Sequence, residues 1–146
     1  LQEDLALSAT TFLPTAGKSL VETPEWTFAG RVDWQATPNL SLGLQAKYVD
    51  DRFSTDVNDE VFPSYTVADF DARYDLTDTF NIRGAYVQLN VTNIFDEEYL
   101  GNISTGNNAT AIDVDPGPGV VIRNGVVRTG SVGAPRTAVI SLGMQF

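Results

Sequence analysis

Two acidic side chains have a spacing that could support hydrolytic chemistry. Asp69 and Asp71 occupy alternate positions in the segment 65–76, and alternate residues of a β-strand share one face, roughly 6.6 Å apart. Inverting glycosidases separate their acid and base carboxyls by about 6.5–9.5 Å. Such a pair also needs one carboxyl in an apolar environment and the other in a polar one, and the flanking residues offer no such contrast. We therefore predict no catalytic residues and no enzyme.

Missing residue types exclude several other kinds of site. The sequence contains no His and no Cys, which excludes an imidazole general base, a Ser-His-Asp triad, the common zinc sites and disulfide bonds. An acidic cluster could bind a divalent cation through its oxygens, but its spacing fits no EF-hand loop. The cluster comprises Asp50, Asp51, Asp56, Asn58, Asp59 and Glu60. We interpret it as a solvated surface loop and predict no metal and no cofactor.

The charge balance limits the possible partners. The 146 residues include 19 Asp and Glu against 9 Lys and Arg, a formal net charge of −10. Nucleic-acid phosphates require a basic surface, so we predict no nucleic-acid partner. No run approaches the roughly 18 apolar residues that a membrane-spanning helix needs. A membrane-spanning strand needs only about 9–11 residues of alternating type.

Alternation of apolar and polar residues predicts an all-β protein with six strands. In the segment 25–36, Trp26 and Trp34 fall on one face and Arg31 and Asp33 on the other. An α-helix would scatter both sets around its axis. The last segment alternates in the same way. The predicted strands lie near residues 1–12, 25–36, 39–49, 65–76, 84–99 and 135–146.

Short and long connections between these strands also alternate. Turns near 37–39 and 77–83 are short, whereas the links near 13–24, 50–64 and 101–134 are long. Membrane barrels combine short periplasmic turns with long extracellular loops, and soluble domains seldom hold a loop as long as the last of these. The pattern favours a transmembrane, antiparallel, up-and-down β-barrel.

Aromatic residues fall where membrane strands would meet the two interfaces. Trp26 and Trp34 share a face, and at ~3.3 Å per residue and a tilt of ~40° they are about 20 Å apart along the membrane normal. That distance approaches the apolar band of ~25 Å whose borders attract aromatic rings. The predicted interface aromatics are Trp26, Trp34, Tyr48, Tyr74 and Phe146.

Four segments resemble sequence motifs of TonB-dependent outer-membrane receptors. The most specific is Leu89 to Tyr99, similar to l-x-V-x-N-l-F-D-k-x-Y. Glu22 to Thr27 resembles the strand opening (N/E)TP-x-(W/H/N)-(T/S), Val61 to Asp69 is similar to lPgYtlvD, and Gly133 to Thr137 resembles the G-x-P-R-t before the terminal strand. The motifs follow in the family's order. The family-motif residues are Asn93, Phe95, Asp96, Tyr99, Pro135 and Arg136.

The resemblance implies a barrel of about 22 strands with an N-terminal plug, of which this chain would supply about the last six. It implies TonB-dependent uptake of a ferric siderophore, cobalamin or a glycan across the outer membrane of a Gram-negative bacterium. The implied partners are outer-membrane lipid, the remaining barrel and plug, TonB acting through the plug, and the barrel-assembly machinery acting on the C-terminal strand. Six strands alone would leave two unpaired edges in lipid. We therefore expect a part of a longer or split barrel, without the plug domain.

Polar side chains on the predicted strands would then face the barrel lumen. They either contact the plug and line the substrate's route, or they are wall residues that satisfy one another. The candidates are Arg31, Asp33, Gln45, Lys47, Asp69, Asp71 and Arg73.

Two other architectures remain open. A small self-closed barrel of eight strands, with an adhesin or structural role, would need two more strands from 101–134. Residues 120–122 and 126–128 around an Asn124-Gly125 turn could supply them. A soluble β-sandwich binding module instead predicts that the purified chain dissolves without detergent.

Overall fold

A computed structural model describes residues 2–6, 12–77, 82–106, 112–114, 122–124 and 129–145. These described residues form thirteen β-strands, and within them no helix is long and apolar enough to cross a lipid bilayer. The strands are β1 (Leu5–Ala6), β2 (Phe12–Leu13), β3 (Thr27–Thr37), β4 (Leu40–Val49), β5 (Arg52–Phe53), β6 (Val61–Phe62), β7 (Tyr65–Asp75), β8 (Tyr86–Thr92), β9 (Leu100–Ile103), β10 (Ile112–Val114), β11 (Ile122–Asn124), β12 (Gly130–Val132) and β13 (Thr137–Gly143).

Five strands form one antiparallel sheet in the order β13-β8-β7-β4-β3. The three longest strands, β3, β4 and β7, have 10 or 11 residues. This length suits a membrane strand, which needs about 9–11 residues. The remaining strands form four two-stranded pairs. The predicted all-β, antiparallel fold class is confirmed.

Several strand boundaries differ from the prediction. The strand predicted near 84–99 is shorter in the structure, where β8 ends at Thr92. It ends there because Asn93 and Asp96 adopt left-handed backbone conformations with φ of 51° and 56°. These conformations turn the chain out of the ladder. Near 1–12, the described part is a short hairpin of β1 with β2, and residues 1 and 7–11 lie outside the described residues.

The long connections contain paired strands of their own. Residues 50–64 hold the β5–β6 hairpin, and residues 101–134 hold part of β9 together with β10, β11 and β12. The alternative barrel of eight strands predicts a hairpin between residues 120–122 and 126–128. In the structure β11 pairs with β10, while residues 120–121 and 125–128 lie outside the described residues.

One face of the five-stranded sheet is apolar and exposed. Val32 lies opposite Leu44, and Leu44 lies opposite Phe70. The side chains stay accessible: Val32 is 68% exposed, Ile140 71% and Leu142 77%. A soluble sandwich would cover this face with a second sheet to remove it from water. The exposed apolar face is therefore what a membrane strand presents to lipid.

Contacts within the chain divide it into two units. The strand unit comprises Thr27–Val49, Tyr65–Tyr99 and Gly133–Phe146, and the loop unit comprises Leu1–Trp26, Asp50–Ser64 and Leu100–Val132. Within the loop unit the Arg52 guanidinium donates hydrogen bonds to the carbonyls of Leu100 (2.7 Å) and Gly101 (3.4 Å). These bonds join two of its segments.

Candidate functional site

The polar face of the strand unit contains an open recess of about 520 Å³. Strands β3, β4 and β7 and the segment after β8 contribute to it. Arg31 and Gln45 lie opposite each other in the register of β3 and β4, and Gln45 lies opposite Asp69 of β7. The polar and aromatic side chains that line the recess are Arg31, Gln45, Lys47, Tyr65, Asp69 and Tyr99. Four of them are predicted lumen candidates.

An ion-pair network crosses three strands beside the recess. Arg31 Nη2 lies 2.6 Å from Asp33 Oδ1 and 2.8 Å from Asp71 Oδ1. The guanidinium passes over Gly43, where a Cβ atom would collide with both Arg31 and Asp71. Glycine at this position therefore permits the bridge from β3 to β7. These three charged side chains therefore pair with one another on the polar face of the sheet.

Arg73 makes a different contact on the same face. Its guanidinium carbon lies 3.5 Å from the centre of the Tyr86 ring, a cation–π distance. The same ring covers Gly143 of β13, which lies directly opposite Tyr86 in the register. This group is separate from the recess.

Lys47 and two tyrosines give the recess its distinctive chemistry. The rings of Tyr65 and Tyr99 stack with centroids 4.4 Å apart and planes inclined by 24°. Among the described residues no carboxylate lies within ion-pair distance of Lys47. The lining of the recess thus includes a cation and a stacked aromatic pair. Tyr65 is not among the residues predicted from the sequence, although its odd position in the alternation of 65–76 puts it on the polar face.

The motif residues after β8 form a hydrogen-bonded turn. Asn93 is 1% exposed, and its Nδ2 donates to the carbonyls of Glu97 (2.9 Å) and Ala134 (3.0 Å). Its Oδ1 accepts a hydrogen bond from the Glu97 N–H at 2.9 Å. The Arg136 N–H donates to Asp96 Oδ1 at 3.0 Å, and Arg136 Nη2 lies 3.5 Å from Asp96 Oδ2. We call Asn93, Asp96, Glu97, Ala134 and Arg136 the Asn93 knot.

The other motif residues surround this knot. The Gly133 N–H donates to the Tyr99 carbonyl at 2.7 Å, and the Tyr99 ring covers Gly133. Pro135 lies between Ala134 and Arg136 of the knot, and Phe95 is 71% exposed. The knot therefore closes the two ends of the long connection between β8 and β13.

The predicted interface aromatics are accessible where the structure describes them. Trp34, Tyr48 and Tyr74 lie on the apolar face, with Trp34 62% exposed. Tyr48 stacks on Phe28 with centroids 6.3 Å apart. Trp26, in the loop unit, is also exposed. Phe146 lies outside the described residues.

Three members of the acidic cluster at 50–60 accept hydrogen bonds within the loop unit. Asp59 Oδ1 accepts a hydrogen bond from the Thr55 hydroxyl at 2.7 Å, and the Glu60 carboxylate accepts one from the Ser54 hydroxyl. Asn58 Oδ1 accepts one from the Ser19 N–H at 2.7 Å. Across the described ranges no group of three or more acidic residues is arranged to hold a metal ion.

Comparisons with known proteins agree on one family. A family model described as TonB dependent receptor-like, beta-barrel matches residues 4–94. The chain is 37% identical over 68 residues to the ferrioxamine receptor of Yersinia enterocolitica, covering 46% of this chain and 10% of that protein. It is 33% identical over 87 residues to an iron-regulated outer membrane virulence protein of Vibrio cholerae, covering 57% of this chain and 13% of that protein.

The fold is also similar to a solved receptor structure. The closed form of the ferric-catecholate import receptor Fiu from E. coli K12 matches with a TM-score of 0.61 and 26% identity. The match covers 93% of this chain and 17% of that one. The chain thus spans a small part of the length of the proteins that it matches.

Proposed function

Because the chain belongs to the TonB-dependent receptor β-barrel family, we propose that it forms part of the barrel wall of an outer-membrane transporter for ferric siderophores. Receptors of this family lie in the Gram-negative outer membrane, hold a plug domain within the barrel and interact with TonB. The names of the relatives, a ferrioxamine receptor and an iron-regulated protein, favour an iron complex over cobalamin or a glycan.

The observation that carries this proposal is the division of the sheet into two chemically different faces. Apolar side chains such as Val32 and Ile140 stay exposed on one face, and outer-membrane lipid would cover them. The charged network of Arg31, Asp33 and Asp71 lies on the other, where a water-filled lumen would solvate it. The wall would then meet lipid outside, and the plug and the passing substrate inside.

The recess supports a more specific substrate class. Lys47 supplies a positive charge, and the stacked rings of Tyr65 and Tyr99 supply flat apolar surface. A ferric catecholate carries negative charge and planar aromatic groups, which this combination suits. We propose that these three residues contact a ferric catecholate as it passes along the wall.

Uptake measurements with the whole protein test this proposal. Cells that lack other siderophore receptors should accumulate ⁵⁵Fe from a ferric tris-catecholate or from ferrioxamine B only when TonB is present. Lys47→Ala should raise the half-saturation concentration for the catecholate by about tenfold, the worth of one charge-assisted contact. Lys47→Arg, which keeps the charge, should raise it less.

Two results would contradict the proposal. Accumulation that does not depend on TonB would exclude the transport mechanism, and TonB-dependent uptake of cobalamin without uptake of either iron complex would exclude the substrate class.

A further inference from the structure

Asp69 connects the recess to the Asn93 knot. Its Oδ2 accepts a hydrogen bond from the side-chain amide of Gln45 at 2.7 Å, on the wall of the recess. Its Oδ1 accepts one from the backbone N–H of Asn93 at 2.8 Å. Each donor is 24 residues from Asp69 in the sequence. One carboxylate therefore has one oxygen engaged in the recess and the other in the knot.

The knot needs this carboxylate because the strand ladder is interrupted there. Regular pairing of β7 with β8 extends to Phe70 opposite Val91, and the next backbone bond runs from the Ile94 N–H to the Ala68 carbonyl at 2.8 Å. Between them Asn93 has φ of 51°, and its N–H is directed to the Asp69 side chain. Asn93 is almost fully buried. Without Asp69, this buried N–H would lose its acceptor, which destabilises the turn.

We infer that Asp69 is a positioning residue that holds the Asn93 knot from the wall of the recess, and so couples the recess to the base of the connection between β8 and β13. Gln45 fixes the orientation of the carboxylate from the recess side. A group that disturbs the Gln45–Asp69 contact therefore also weakens the bond to Asn93. Coupling of this kind is reciprocal, so a loosened knot also alters the recess.

The inference goes beyond the proposed function, and its test requires no siderophore. We would measure amide hydrogen exchange of the whole protein in detergent micelles, following peptides that cover residues 93–99. Asp69→Ala should speed exchange there by about tenfold, the effect of one lost hydrogen bond on local opening. Asp69→Asn should stay close to the unmodified protein, because the amide oxygen still accepts from Asn93 and Gln45 can rotate to pair with the amide nitrogen.

Asp71→Ala provides the matched control. Asp71 lies on the same strand and the same face as Asp69, but its carboxylate pairs with Arg31. Its loss should leave exchange at 93–99 unchanged.

Gln45→Ala tests the coupling itself and should speed exchange at 93–99 by a smaller factor than Asp69→Ala, because Gln45 acts on the knot through Asp69. A difference in gel mobility between unheated and heated samples would show that each variant is folded.

Three results would overturn the inference. They are equal acceleration by Asp69→Ala and Asp71→Ala, an Asp69→Asn variant that exchanges as fast as Asp69→Ala, and a Gln45→Ala variant identical to the unmodified protein. A failure of siderophore uptake would contradict the proposed function and leave these exchange results intact. The two proposals can therefore fail separately.

Discussion

At Asn93 the chain leaves strand β8, whose last residue is Thr92. Its side chain makes three hydrogen bonds to backbone groups on both sides of the long connection. Its positive φ is uncommon for a residue with a side chain. Asparagine tolerates this conformation better than most residues do, and its amide provides both donors and an acceptor. This explains in physical terms why the motif carries asparagine here.

Replacing Asn93 should therefore destabilise the folded protein. Asn93→Ala removes three hydrogen bonds and strains the left-handed backbone, which should lower the free energy of unfolding by about 2–4 kcal/mol. Asn93→Gly removes the same bonds without the strain and should recover about 1 kcal/mol of that loss. Urea titration of the folded fraction in detergent micelles would measure all three proteins.

Asn90→Ala is the control for this prediction. Asn90 lies on the polar face of the same strand, where its Oδ1 accepts a hydrogen bond from Gln88. The change should cost less than about 1 kcal/mol. Equal losses for Asn90→Ala and Asn93→Ala would show that the knot does not hold the strand end.

At the scale of the elements, the strands define two surfaces with different solvents. Val139 of β13 lies opposite Asn90 on the polar face, and Ile140 lies opposite Leu89 on the apolar face. Both side chains are at least half exposed. They are adjacent, similar in size and both β-branched, so a difference between them reports the environment of the face and not the identity of the residue.

A positive charge on β13 should therefore have opposite consequences at these two positions. Ile140→Arg should make folding into bilayers less favourable by about 2–4 kcal/mol, because arginine would face hydrocarbon. Val139→Arg should cost about 1 kcal/mol or less on a wet face. The folded fraction in lipid vesicles, followed by gel mobility without heating, would measure both. Similar losses at the two positions would contradict a membrane sheet.

For the whole molecule, the two edges of the sheet are where further strands must pair. β3 and β13 are the two edge strands of the five-stranded sheet. In hydrocarbon each unsatisfied backbone group at such an edge costs several kcal/mol. We therefore propose that other strands of the barrel pair with both edges. The predicted count of about 22 strands and the contribution of six by this chain stay predictions.

Deletion of Phe146 should reduce the amount of folded protein in the outer membrane. Phe146 resembles the aromatic residue that the barrel-assembly machinery reads in this family, and an aromatic ring also anchors a strand end at the membrane interface. Phe146→Tyr keeps an aromatic ring and should preserve assembly. Quantifying folded protein in outer-membrane fractions would compare the two variants. Unchanged assembly of the deletion variant would refute this role.

The sequence by itself determined the fold class, the two faces and the family. Alternation of apolar and polar residues with a period of two is a local property of the chain. It therefore located β3, β4 and β7 and assigned their side chains to two faces without knowledge of the neighbouring strands. The motifs that contain Asn93 and Arg136 were specific enough to suggest the family whose model matches residues 4–94. The same local pattern could not show that β8 ends at Thr92, because a backbone φ leaves no periodic signal.

Only the tertiary structure decided which polar side chains meet. Arg31 reaches Asp71 over Gly43, and Asp69 binds both Gln45 and Asn93. These partners are 24 to 40 residues apart in sequence. Their contact depends on the register between strands, which is set by the pairing of whole elements and their turns. The predicted lumen residues therefore have different roles in the structure. Arg31, Asp33 and Asp71 pair with one another, whereas Gln45 and Lys47 line the recess and Asp69 positions Asn93.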